Sequence, residues 1–194
     1  MSTSLEKPVP LSMRLTGVTL LGAAGGLTGY YVAQKVRTEA FPWDDALASI
    51  MGLLLLAVGL SMIYVLVTRP ASMPKGCGIL QIVAMVLAGV MYLAPVLIPE
   101  TVAPEIVMGG IVAALVCQAV ANVLLWRRAD EMLRHLMLET CAIAFWLLQL
   151  ALFTYAAAER LGLAGGVSAW GMAGVMMAIY LIASVVASAR KGLK

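Results

Sequence analysis

Residues 46–67 read ALASIMGLLLLAVGLSMIYVLV, a run without one charged side chain, and this stretch decides the fold. As an α-helix it rises about 33 Å, enough to cross the roughly 30 Å hydrocarbon core of a bilayer. A helix lying on the core of a soluble protein needs only a stripe of such residues, whereas here the whole circumference is apolar. The rest of the chain is of the same kind. Of 194 residues, 62% are hydrophobic and 12% charged, about half the charged share of an ordinary soluble domain. Polar side chains are too few to clothe a soluble body of this size.

Six apolar runs are visible, at about 15–34, 46–67, 78–98, 103–125, 136–158 and 165–188, with ends uncertain by about 2–4 residues. Strands of a membrane barrel would alternate over about 10 residues; these runs are continuous and rich in Leu, Ala, Met and Val, so they predict helices. The expected fold is all-α, a polytopic membrane bundle of six transmembrane helices in one domain, with short connections that make neighbours antiparallel. Residues 1–12, which hold Pro8 and Pro10, are expected to form a flexible N-terminal segment. Lys7 and Arg14 precede the first run as they would in a signal peptide. Its length is that of a span, however, and no clean A-x-A site follows, so the expectation is a retained anchor.

Basic residues fix the orientation, since short positively charged loops stay in the cytoplasm. One side of the six-span arrangement carries Lys7, Arg14, Arg69, Lys75, Arg127, Arg128, Arg134, Arg190, Lys191 and Lys194, and the other only Lys35, Arg37 and Arg160. Both termini are therefore expected on the cytoplasmic side. Aromatic residues agree: Tyr30, Tyr31, Phe41, Trp43, Tyr155 and Trp170 fall near outer ends, Tyr64 and Trp126 near inner ends. Trp146 departs from the pattern. It falls mid-span beside Phe145, which predicts packing within the bundle or against a partner. Pro104 suits a first helical turn, Pro95 is expected to bend the third span, and Asp44 is expected to cap the second.

The most polar helical stretch, RRADEMLRHLMLE at 127–139, forms a cytoplasmic charged turn with Asp130, Glu131, Arg134 and the single histidine, His135. Glu131, His135 and Glu139 recur every four residues and share a helix face, as metal ligands do. The same spacing makes i, i+4 pairs of Asp130 with Arg134 and Glu131 with His135, which simply stabilise an exposed turn. That reading is preferred, and no metal site is expected. Glu139 lies a turn inside its span, either as a proton or cation handle or, as preferred, in an ion pair with Arg134 or Arg14. Deeper polar groups are few: Gln118 and Asn122 lie on one face, and Gln149 on the next span. These amides serve either as a polar path or as hydrogen-bonded glue between helices, the second being preferred.

Gly22 with Gly26 and Gly25 with Gly29 make overlapping GxxxG patterns, and Gly171 with Gly174 marks the last span; small residues of this kind let helix backbones approach closely. GAAGGLTG at 22–29 lacks the GK[ST] ending of a phosphate loop. The three cysteines, Cys77, Cys117 and Cys141, follow no metal or disulfide spacing. The formal charge of +3 is spread over short loops, unlike the basic face that binds nucleic acid. No set of residues for hydrolysis or acid–base catalysis is visible, and no cofactor is expected.

The stretch DEMLRHLMLETCAIAFWLLQLALFTYAAAE, 130–159, resembles a pattern met in small uncharacterised bacterial multi-pass inner-membrane proteins: D-E-x-x-R-x-x-x-x-E before an aromatic-ended span. Asp130, Glu131, Arg134, Glu139, Tyr155 and Glu159 carry the match. The resemblance implies a bacterial inner (cytoplasmic) membrane location and no particular activity. The expected function is that of a non-enzymatic accessory or scaffold subunit acting through helix–helix association, with lipid and either itself or another membrane protein as partners. The alternative is a small-solute or ion transporter or channel with a path near Gln118, Asn122, Gln149 and Glu139.

Overall fold

A computed structural model of the chain describes Tyr30 and residues 42–68, 77–99 and 101–190. The expected span 15–34, its glycines Gly22, Gly25, Gly26 and Gly29, and the segment 1–12 lie outside the described residues. Within them the chain is helical and contains no strand. The five helices among the described residues are α1 (Trp43–Thr68), α2 (Gly78–Leu97), α3 (Pro104–Arg128), α4 (Glu131–Arg160) and α5 (Ala169–Arg190). All five are long and apolar enough to cross a membrane, the mark of a multi-pass membrane protein.

Local groups shift several helix ends from the ends of the apolar runs. α3 opens with Pro104 in its first turn, where the missing N–H is no loss. α4 starts at Glu131, five residues before the apolar run, because the Asp130 carboxylate accepts the Leu133 N–H at 2.8 Å. α5 starts later than expected, at Ala169, where the Ser168 hydroxyl accepts the Gly171 N–H at 3.0 Å. Asp44, expected as a cap, sits instead in the first turn of α1, which begins at Trp43 with Ala46 N–H bonded to the Pro42 carbonyl. Its carboxylate is used differently, as described below. α2 continues through Pro95 to Leu97.

The chain leaves α4 through a Schellman ending: Leu163 N–H returns to the Ala158 carbonyl and Gly162 N–H to that of Glu159. Gly162 takes φ +72°, the left-handed region, with open space around a would-be Cβ. Gly162→Ala therefore acts through backbone strain alone, and is expected to destabilise the protein by about 1 kcal/mol in detergent unfolding. The loop that follows is pinned by Tyr155, whose hydroxyl donates to the Gly165 carbonyl at 2.9 Å and accepts from Val167 N–H at 2.7 Å.

The packing order is α3, α2, α1, α5, α4, each helix against the next. The centre is α1 against α2. Ala48, Gly52, Leu55 and Gly59 recur at 4-3-4 spacing and are all buried. A Cβ on Gly52 would stand 3.0 Å from the Gly89 carbonyl, and one on Gly89 would stand 2.8 Å from that of Gly52. Two backbones thus meet directly, an approach that any side chain would prevent. α3 and α4 form the two edges of this layer. They share no packed face, although only Ala129 and Asp130 separate them. Since three peptide units reach about 11 Å at most, the layer must curl until its edges meet at one end.

Candidate functional site

The two ends of the bundle differ in charge. Arg127, Arg128, Arg134 and Arg190, with Asp130 and Glu131 among them, gather at the end where α3 passes into α4, while Asp44, Asp45, Glu105 and Glu159, with Arg160, lie at the other. At the basic end Arg134 folds back across the corner. Its Nε donates to the Trp126 carbonyl at 3.1 Å and its NH2 group to that of Arg127 at 3.2 Å, with the guanidinium 6.0 Å from the centre of the Trp126 ring. Asp130 thus caps the start of α4 while Arg134 caps the end of α3. The pattern D-E-x-x-R reads here as a corner brace. Arg134→Met keeps the apolar stem and removes both donors. It is expected to cost about 1 kcal/mol and to speed amide hydrogen exchange around 126–133, with Arg134→Lys intermediate.

Glu139, one turn further along α4, is paired with Arg190 of α5 at 3.9 Å and is largely shielded. The expected partner Arg134 is committed to the corner, and Arg14 lies outside the described residues. Glu131 and His135 are exposed on α4. Among the described residues no three His, Cys, Asp or Glu side chains gather as a metal site would require.

At the acidic end α1, α2 and α5 are joined. The Ser168 hydroxyl donates to Asp44 Oδ2 while accepting from Gly171, so one side chain ties the starts of α1 and α5 together. Tyr92 of α2 donates to the Ala173 carbonyl at 2.8 Å and lies 5.7 Å from Trp170, ring centre to ring centre. A Cβ on Gly171 would stand 2.8 Å from Cζ2 of the Trp43 ring, and one on Gly174 2.9 Å from Leu47 Cδ2. Gly171 and Gly174 are thus occupied within the chain. On α3, a Cβ on Gly109 or Gly110 would meet open space.

The four polar residues considered for a path are not brought together. Gln118 donates to the Ala84 carbonyl of α2 at 3.3 Å, which makes it a tie between α2 and α3. Asn122 is exposed on α3. Gln149 stands nine residues, hence half a turn, away from buried Thr140 on α4, on the face opposite the one that meets α5. Glu139 faces Arg190. A recess of about 390 Å³ between α2 and α3 lies near Pro95, Pro99 and Pro104. Every side chain lining it is apolar, so it offers no polar side chain to orient a ligand.

The outward surface of α4 carries Phe145, Trp146, Leu150 and Phe153, the last 76% exposed. Trp146, out of place for an interfacial belt, thus points away from the described bundle rather than into it. Sequence reasoning missed the glycines of the central contact, Gly52, Gly59 and Gly89. Their signal was the 4-3-4 recurrence of small and large residues along 48–59. Compared with known protein families, curated proteins and solved structures, the chain matches none.

Proposed function

We propose that the chain is a non-enzymatic subunit of a bacterial inner membrane that acts by associating with other helices, as a scaffold or accessory component. It crosses the bilayer six times, with 15–34 as the first span and both termini on the cytoplasmic side, where the positive-inside rule puts the arginine-rich end. One observation carries the association reading: α4 turns the mid-span amide of Gln149 and the neighbouring Phe145, Trp146 and Phe153 away from α5, its only extended contact among the described residues. Apolar side chains facing lipid cost nothing, but an amide in hydrocarbon without a hydrogen-bond partner is unfavourable, and helix–helix association supplies one.

The test is the mass of the particle released from native membranes into polymer nanodiscs without detergent. The expected particle holds more than one protein chain in fixed stoichiometry. A particle with a single copy of this chain and no other protein overturns the reading.

A further inference from the structure

The face of α4 that no other described helix covers has a defined register. Leu138, Ala142, Phe145, Gln149, Leu152 and Ala156 recur at 4-3-4-3-4 spacing, and all are exposed except Leu152, which is half-buried. This is the heptad spacing by which two helices interlock, with Ala142 and Ala156 towards its ends permitting close approach. Gln149 occupies its centre. It stands ten residues from Glu139 and ten from Glu159, so about 15 Å of helix separates it from a charged group on either side, the half-thickness of the hydrocarbon core. At that depth a glutamine cannot reach water. Asn122, five residues from Arg127, lies only about 7.5 Å from a charged end and is within reach of the interface.

Resting on the association reading above, we propose that the partner is a second copy of this chain. The two α4 helices pair in parallel along this seam, with the two Gln149 carboxamides bonded to each other at the bilayer midplane. Two copies inserted with the same topology are related by an axis along the membrane normal, which places each Gln149 at the same depth as its counterpart. A carboxamide carries both a donor and an acceptor, so the group is its own complement, and the contact forms only in one register. A single polar residue at a core position of a coiled coil fixes register and copy number in the same way. Trp146 and Phe153, seven residues apart, flank the seam along one side.

The experiment is disulfide capture in native membranes, on the full chain with Cys77, Cys117 and Cys141 replaced by alanine. Ala142→Cys and Ala156→Cys are expected to yield dimers on mild oxidation, while Leu150→Cys, about 100° around the helix from Gln149, yields far less. Gln149→Leu is expected to weaken the dimer about tenfold in dilution within liposomes, and Gln149→Asn to retain most of it. Because Gln149 faces outward, the thermal stability of the monomer should be unchanged by either variant, which separates loss of pairing from loss of folding. Equal capture at all three positions, or a dimer indifferent to Gln149→Leu, overturns the proposal. So does a monomer-sized product joining Ala142→Cys to Gly26→Cys, which would put residues 15–34 of the same chain on this face. If native particles hold several chains but the seam cysteines do not react, the seam is wrong and association stands; if every particle is a single chain, both fall.

Discussion

Gly89→Val is expected to part α1 from α2 and to cost about 3 kcal/mol, the upper range for overpacking a close-packed interior. The Cβ alone would already stand 2.8 Å from the Gly52 carbonyl oxygen and 2.8 Å from Leu56 Cγ. Leu56 has rotamers to move into; the carbonyl belongs to a helix backbone and can retreat only with the helix. Trimming the neighbour should therefore fail to rescue: Leu56→Ala combined with Gly89→Val remains close to the single variant in stability. Reversible unfolding in detergent, followed by far-ultraviolet dichroism, measures both. Because α1 and α2 lie at the centre of the packing order, this contact carries α3 on one side and α5 with α4 on the other.

Gly171→Val is the second large effect, about 2–3 kcal/mol, and its cause differs in kind. A Cβ on Gly171 would press into the Trp43 ring, 2.8 Å from Cζ2, and 3.2 Å from the Asp44 Cβ. The main obstacle is a side chain, so a smaller residue at 43 should relieve it. In a double-mutant cycle with Trp43→Ala, the cost of Gly171→Val is expected to fall by at least about 1 kcal/mol. The same site holds the Ser168 bridge between Asp44 and the start of α5. A larger residue at 171 that shifts α1 therefore also strains that bridge.

These two contacts mark the limit of what the residue string discloses. Apolar runs announce spans, because lipid demands about 20 consecutive apolar residues and short loops cannot supply them. Helix ends are less legible. Asp130 extends α4 by five residues and the Ser168 hydroxyl sets the start of α5 at Ala169, both through local side-chain hydrogen bonds that hydropathy does not register. Which face of a span meets protein is harder still. Lipid is as apolar as leucine, so α1 shows no polar side to contrast with its packed one, and Gly52 and Gly59 lie within an unbroken run of similar residues. The partner of Glu139 is equally hidden, since Arg190 stands 51 residues away in sequence and comes near only because α5 runs back along α4.

The polar outliers were more legible than the packing. Trp146 is mid-span by position alone, and Gln149 is the amide midway between two glutamates. What sequence could not supply was direction. The half-turn between buried Thr140 and Gln149 shows that the amide lies opposite the α5 contact. Gln118, of the same chemical type, turns inward to the Ala84 carbonyl. Two similar side chains thus take opposite directions, one closing the bundle and the other facing away from it.

The most direct test of this account is the distance between spin labels on Ala156→Cys in the full chain, with its native cysteines replaced by alanine, reconstituted in liposomes of bacterial lipid at high dilution. Paired α4 helices with axes about 8–10 Å apart predict one narrow, short distance distribution that persists on dilution and is lost with Gln149→Leu. Labels that show no coupling at any protein-to-lipid ratio would contradict self-association through α4.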